Sequence, residues 1–338
     1  MRTIAYITIA ALAVFTALAN LYPWTVRGES WGVVKFEVPR GATSSEVART
    51  LFEKGLIANK DIFVLGAVLL GTDRHMAAGV YVVEPKTDLF SLYDLLRRGQ
   101  QYLNLVTVPE GLTLSETIAL LVEDLGMEEA ELERWASDRE LLRAMDVEGP
   151  SVEGYLFPDS YDVPVGADAR DILSTMVKKA WRVYREAALE AESPPDLTSH
   201  EVFTLASIVE AEVTVRDEAP RVAAVFLNRM RKGMPLQADP TVAYALGERK
   251  PRITYDDLKV DSPYNTYVHS GLPPGPICNP GENSLRAVLS PVEGSRDMYF
   301  VARGDGRHVF SETMNGHVRA KRLIRQKKAQ NRGGPEDD

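Results

Sequence analysis

The sequence has one cysteine, Cys278, in 338 residues, so no intrachain disulfide can form and the fold must rest on buried apolar surface. A lone cysteine reads as a small buried hydrophobe rather than as a nucleophile. Histidine is scarce too. His75, His200, His269, His308 and His317 are scattered, with no HExxH run and no Cys–His pair at ligand spacing, so no metal centre is legible. Positive charge is in deficit: 48 Asp and Glu against 39 Lys and Arg give a formal net charge of −9. A nucleic-acid binder would show the opposite balance, so no nucleic-acid partner is expected. Otherwise the composition, 45% hydrophobic and 26% charged, is that of an ordinary globular protein, and the length suits an anchor with two modest domains.

Long charge-free runs are absent except at the N-terminus. After Met1 and Arg2, the stretch from Ile4 to Leu21 carries no charge, and Tyr22 and Trp24 follow it. At 1.5 Å per helical residue about 18 to 20 residues cross a bilayer core, and Tyr and Trp favour its interfaces. Two readings stand. One is a retained anchor with the N-terminus inside; the other is a signal peptide cut after Ala17-Leu18-Ala19. The run is longer than a typical signal core, which favours the anchor over residues 1–24. Both readings put the rest of the chain outside the cytoplasmic membrane.

Beyond the linker at residues 27–30, Val34, Phe36 and Val38 alternate with Lys35 and Glu37 as in a half-buried strand, and Pro39 and Gly41 end it. Thr43 with Glu46 forms a capping box, opening a helix that carries Val47, Leu51 and Leu56. A helix over 60–70, a strand in GVYVVEP and a helix with Leu89, Leu92, Leu95 and Leu96 complete a small α+β unit. Val38-Pro39-Arg40-Gly41-Ala42-Thr43 is echoed seventy residues later by Val108-Pro109-Glu110-Gly111-Leu112-Thr113, one strand–turn–helix device used twice. Helices follow over 126–145 and 167–192, and the second is broken by Ser193-Pro194-Pro195. From Lys321 a basic stretch ends in GGPEDD, which reads as fraying helix and then disorder. The expected division is therefore 1–24, 31–104, 105–320 and 321–338.

A second capping box, Thr198 with Glu201, opens the helix HEVFTLASIVEAEV. Val202, Leu205, Ala206 and Val209 share one apolar face, and Glu210 follows directly. A carboxyl seated on apolar surface loses hydration, which favours its protonated form, as a general acid requires. The local pattern alone also fits an ordinary exposed glutamate. Glu212 points about 200° away if the helix continues, so the two are not the facing carboxylates of an ordinary glycosidase. The next helix starts after Asp217, holds Pro220 in its first turn and ends at Gly233. Two polar loops follow: Leu236-Gln237-Ala238-Asp239-Pro240-Thr241, and SPYNTYVHSGLPPGPICNPG. In the latter, prolines restrict the backbone around Tyr264, Asn265 and Tyr267, residue types that stack on and hydrogen-bond to sugars. A purely structural loop fits the same pattern. MYFVARG and GRHVFSET read as a hairpin.

These segments together resemble the YceG-like endolytic murein transglycosylases. The likeness runs from about Val34 to His317 and is closest in EGYLFPDSY (Glu153 to Tyr161), LASIVEAE (Leu205 to Glu212), VFLNRM (Val225 to Met230) and LQADPTVAYALG (Leu236 to Gly247). It continues in SPYNTYVHSGLPPGPICNPG and MYFVARGDGRHVFSET. The resemblance implies an α+β protein with a transmembrane anchor, a LysM-like subdomain and a larger catalytic domain outside the cytoplasmic membrane. It implies that Glu210 is the catalytic acid and base, that peptidoglycan glycan strands are the substrate, and that no metal or organic cofactor takes part. Cell-wall synthases are a candidate class of partner. Gln237, Asp239, Tyr264 and Asn265 are the expected substrate-binding residues of the cleft.

The reaction so implied cleaves between N-acetylmuramic acid and N-acetylglucosamine without water. The muramic C6 hydroxyl attacks its own C1 and leaves a 1,6-anhydro end, so one carboxyl can serve as acid and then base. Hydrolysis of the same bond is the rival reaction and needs a water-holding carboxylate, for which Glu212 and Asp239 are the candidates near in sequence. A silent wall-binding or scaffold protein is the non-enzymatic alternative.

Overall fold

The computed structural model of the protein describes residues 34–332, apart from 40, 74, 75, 85, 86, 99–102, 165, 249 and 251. The run from Ile4 to Leu21, on which the expected anchor rests, lies outside the described residues, as does the chain from residue 333. Among the described residues no helix is long and apolar enough to cross a membrane. The architecture is α+β, largely helical, with three two-stranded sheets among the described residues. The chain divides into two compact units: residues up to Leu105 together with Asp162–Asp168, and Val106–Tyr161 together with the chain from Ala169.

In the first unit β1 (Val34–Val38) turns through Gly41 (φ +75°) into α1 (Ser44–Glu53). The capping box forms: Glu46 N–H donates to Thr43 Oγ1, and Thr43 N–H donates back to the Glu46 carboxylate at 2.7 Å. Asn59 caps α2 (Lys60–Leu69). β2 (Gly79–Val83) pairs antiparallel with β1 so that Tyr81 lies opposite Phe36, their rings stacked at 5.4 Å. α3 (Leu89–Arg98) buries Leu89, Leu92, Tyr93 and Leu96, leaving Leu95 half-buried. Tyr93 stacks on Phe63 at 4.9 Å and donates its hydroxyl to the Phe63 carbonyl, so its one polar atom is satisfied inside the core.

β3 (Leu103–Thr107) pairs with β4 (Ser160–Pro164). In the second unit the turn after Val108 repeats the earlier device. Gly111 takes φ +77°, and Thr113 and Glu116 close a capping box on α4 (Leu114–Leu125). Short helices α5 (Glu129–Ala136) and α6 (Arg139–Ala144) precede α7 (Ala169–Glu190), whose Ile172, Leu173, Met176, Val177, Ala180 and Val183 face the core.

The centre of this unit is α8 (Ser199–Glu212). One apolar face was expected, yet every residue from Val202 to Val209 is buried. The reason is that α8 is covered on several sides. α9 (Ala219–Arg231), α10 (Asp239–Leu246) and α11 (Glu282–Leu289) pack on it, while Trp181 and Tyr184 of α7 meet Phe203. Thr204 and Ser207 are tolerated there because their hydroxyls donate to the His200 and Thr204 carbonyls. β5 (Tyr299–Ala302) and β6 (His308–Ser311) form the expected antiparallel hairpin. It is fastened to α9 by Asn228, which donates to the Ser295 and Asp297 carbonyls, and by buried Arg229, which donates to Met298 O and Leu236 O. The basic stretch past Lys321 is part of α12 (Met314–Arg332).

Candidate active site

The proline-rich loop lies along α8 and runs in the same direction. At the first turn of the helix, His200 Nε2 is 2.9 Å from Pro274 O, and its Nδ1 is 2.9 Å from the Tyr155 hydroxyl. Two turns on, Ile277 N–H donates to Ser207 Oγ and the Cys278 thiol to Ser207 O. Cys278 is thus a buried thiol bonded to the helix backbone, consistent with its reading as a small core residue. Gly154 (φ +79°) lets Pro276 approach: a Cβ on residue 154 would sit 2.1 Å from Pro276 Cβ. Asn279 is wholly buried and stitches the loop to the turn before α4. It accepts from Leu156 N–H and donates to Thr117 Oγ1, while its backbone exchanges bonds with Gly111 and Leu112.

At the end of this run the loop reaches Glu210. The half-buried Glu210 side chain accepts the Gly281 N–H at 3.0 Å and the Ser284 Oγ–H at 2.7 Å, both on Oε2. Gly281 is the N-cap of α11 and has no side chain to cap it. Glu210 therefore does from another helix what the third residue of a capping box does from its own. Oε1 takes no hydrogen bond from the described residues. One carboxyl oxygen is held and the other is left without a hydrogen bond among the described residues, the arrangement that suits repeated proton transfer at one fixed point.

A second carboxylate stands beside it that the sequence did not single out. A Cβ built on Gly281 would lie 2.2 Å from Glu110 Oε1, so Glu110 packs directly on the glycine that holds Glu210. The next residue, Gly111, lies against the Glu210 side chain: a Cβ there would meet Glu210 Cγ at 3.8 Å. Arg216 Nη2 donates to Glu110 Oε2 at 2.7 Å, and Asn283 Nδ2 donates to the Arg216 carbonyl. Four segments meet here: the end of α8, the 109–113 turn, the start of α11 and the stretch at Arg216.

The other expected site residues form two further groups. Gln237 is exposed at φ +52°, a left-handed conformation uncommon for a side chain of its kind. Its N–H donates to Thr266 O, and the N–H of Ala238 donates to Thr266 Oγ1, so the αL residue is held from both sides. Asp239, also exposed, accepts the Tyr267 hydroxyl at 2.5 Å. Glu212 belongs to this group rather than to Glu210's: burial, and then the neighbouring Asp239 carboxylate, push it up to about 8, with Arg229 opposing. In the second group Tyr264 lies against Tyr244 with ring centroids 4.8 Å apart, and Tyr244 donates to Glu153 Oε2. Burial raises Glu153 to about 7 in spite of the Leu114 N–H and Tyr244 bonds it accepts. Asn265, expected among the substrate-binding residues, is buried. It has no exposed surface; its amide donates to Leu258 O and Val260 O and accepts from Tyr267 N–H. Its side chain is spent on the shape of the loop.

Glu110, Ser284 and Gly281 were missed because each comes to the Glu210 site across a long chain separation. The available signal was the echoed Pro-x-Gly-x-Thr turn, which places Glu110 at the mouth of a helix.

The YceG-like family model matches residues 36–323. The chain belongs to the YceG-like family. It is 32% identical over 312 residues to a protein of Bacillus subtilis (strain 168) named endolytic murein transglycosylase, covering 88% of this chain and 86% of that one. A Streptococcus pneumoniae (serotype 2, strain D39) protein of the same name is 27% identical over 323 residues, and the match covers 83% of this chain but 56% of that longer protein. Among solved structures, a putative YceG-like protein from Listeria monocytogenes superposes with a TM-score of 0.57 at 32% identity, over 85% of this chain and 98% of that chain. The YceG-like match spans the Glu210, Gln237–Asp239 and Tyr264–Asn265 segments alike.

Proposed function

We propose that this chain is an endolytic murein transglycosylase that cuts within peptidoglycan glycan strands and leaves 1,6-anhydro-N-acetylmuramic ends. The relatives' names support the reaction class. The observation that carries the assignment to Glu210 is its carboxyl, with Oε2 held by Gly281 and Ser284 and Oε1 left without a hydrogen bond among the described residues. In this reading Oε1 protonates the glycosidic oxygen as the C1–O bond breaks. The same carboxylate then accepts the proton of the muramic C6 hydroxyl as its oxygen bonds to C1. One bond is broken, one is formed, and no water is consumed. The nucleophile belongs to the substrate, so the attack is intramolecular, and orientation alone supplies a large part of the acceleration. Gln237, Asp239 and Tyr264 are assigned to the glycan-binding surface, and Asn265 to holding the loop that carries Tyr264.

The run from Ile4 to Leu21 supports a single-pass anchor with the N-terminus inside and both compact units outside the cytoplasmic membrane. The first unit is proposed as a LysM-like glycan-holding module, and cell-wall synthases as partners. The deciding experiment is digestion of purified glycan strands followed by mass analysis of the ends, which should be one water lighter than hydrolysed ends. A reporter active only outside the cytoplasm, fused after residue 338, should be active, with the full-length protein in the membrane fraction. A shortened soluble form would instead identify a cleaved signal.

A further inference from the structure

We infer that Glu110 is a second carboxylate of the active site, held in place by Arg216, and that it stabilises the positive charge that builds on the sugar ring as the glycosidic bond breaks. The inference rests on the transglycosylase reading above and adds to it the group that the single-glutamate mechanism lacks.

The geometry gives the reason. Gly281 is a floor shared by both carboxyls: its N–H donates to Glu210 Oε2, and its open Cα face is covered by Glu110. Those two contacts and the span of one residue put the two carboxyls no more than about 8 Å apart. That distance can be filled by one sugar ring. Both carriers are fixed. Glu210 lies in the last turn of the buried helix α8, while the Glu110 turn is tied down by Gly111 N–H to Asn279 O and by Asn279 N–H to Leu112 O. Arg216 donates to Oε2 of Glu110 alone, leaving Oε1 on the Gly281 side. The Arg216 side chain is 73% exposed and the Glu110 side chain 34%, so the pair stands at an open face where a polymer can lie.

The chemistry follows. When C1–O breaks, its electron pair goes to the leaving oxygen, which takes the Glu210 proton, and the ring carries the positive charge until the C6 oxygen bonds to C1. Glu110 forms no bond and gains no proton. A fixed anion beside that charge is most effective in the transition state, where the charge is largest. Arg216 keeps the carboxylate aimed, which makes Arg216 a positioning residue.

The test uses full-length protein and purified peptide-free glycan strands, with two ring mimics: a piperidine iminosugar bearing the N-acetyl and lactyl groups, protonated at nitrogen, and its uncharged lactam. Glu110→Gln should lower turnover by about 10²-fold with KM within twofold, the melting temperature unchanged and the residual ends still anhydro. Iminosugar binding should weaken at least tenfold while lactam binding holds. Glu110→Asp should recover part of the rate, and Arg216→Met should cost less than Glu110→Gln. Turnover of Glu110→Gln within threefold of wild type overturns the inference, as does equal weakening of both mimics. Water-bearing ends from the wild type, lost in Glu110→Gln, would instead make Glu110 a base holding water. Glu210→Gln separates the two levels: anhydro ends from the wild type and none from Glu210→Gln leave the transglycosylase reading standing whatever Glu110 does. A wild type that releases no ends brings both down.

Discussion

Ser284 Oγ–H donates to Glu210 Oε2 at 2.7 Å across 74 residues of chain, joining the end of α8 to the first turn of α11. Glu210→Gln should cost about 10⁴-fold or more in turnover, because one group serves both proton transfers. The amide keeps the shape of the side chain, so glycan binding should persist. Ser284→Ala leaves the acid in place but loosens its aim, and should cost about tenfold to 10²-fold in turnover with KM little changed. Glu212→Gln should cost less than either, since Glu212 keeps company with Asp239 and Arg229. A Ser284→Ala enzyme that turns over at the wild-type rate would show that Oε2 needs no holding.

Stability should fall with rising pH over a defined window. Glu153 is raised to about 7 and Glu212 to about 8, both mainly by burial, from an ordinary 4.5. In the unfolded chain each ionises near 4.5, while in the fold each stays protonated longer. The folded state therefore binds more protons through this interval, and stability present below about 4.5 is lost as pH rises through about 7 and then about 8. Thermal melts of wild type, Glu153→Gln and Glu212→Gln between pH 5 and 8 check this. Each amide should flatten the decline, and parallel curves would refute the assignment.

Asn265→Ala should act on stability first. It strands the Leu258 and Val260 carbonyls and the Tyr267 N–H, at a cost of roughly 2–4 kcal/mol in urea unfolding. If Asn265→Ala lost glycan binding with its unfolding midpoint unmoved, a direct sugar contact would be the better account.

Gln237→Gly should do the reverse. Glycine adopts φ +52° without penalty, so stability should hold or rise by up to about 1 kcal/mol, while glycan binding weakens through loss of the exposed amide. A variant that binds strands as well as wild type would remove Gln237 from the binding surface.

Gly154→Ala should be among the most damaging single changes far from the chemistry. The position is left-handed and a Cβ there would meet Pro276 at 2.1 Å, so backbone strain and collision together should cost roughly 2–4 kcal/mol. The loop it displaces ends at Gly281, so activity should fall further than stability alone explains. Calorimetry and turnover on the same preparation separate the two effects.

What was legible in the sequence was local. The capping boxes at Thr43, Thr113 and Thr198, the alternation of Val34, Phe36 and Val38, and the turn glycines Gly41 and Gly111 all depend on residues within a few positions of one another. What was not legible depends on packing. α8 carries alternating clues of an amphipathic helix but is buried from Val202 to Val209, because Thr204 and Ser207 hide their hydroxyls in the backbone. Asn265 and Asn279 look alike in sequence as polar loop residues, and both are interior fasteners. Glu210 could be chosen from its motif, but neither its partners nor Glu110 could, since nothing near Glu210 in the chain encodes a serine 74 residues on or a turn a hundred residues back.

The separation between Glu210 and its holders has a further consequence during synthesis. Gly281 and Ser284 lie 71 and 74 residues downstream of the glutamate they hold. At 5–20 residues per second they are made roughly 4 to 14 s after it. Through that interval the nascent chain already contains Glu210 but not the Gly281 and Ser284 donors that hold its carboxyl. On the proposed reading, competence to cut arrives only when α11 docks against α8. On that reading, truncated or half-folded copies carry Glu210 without its geometry, and only the finished domain is competent to cut.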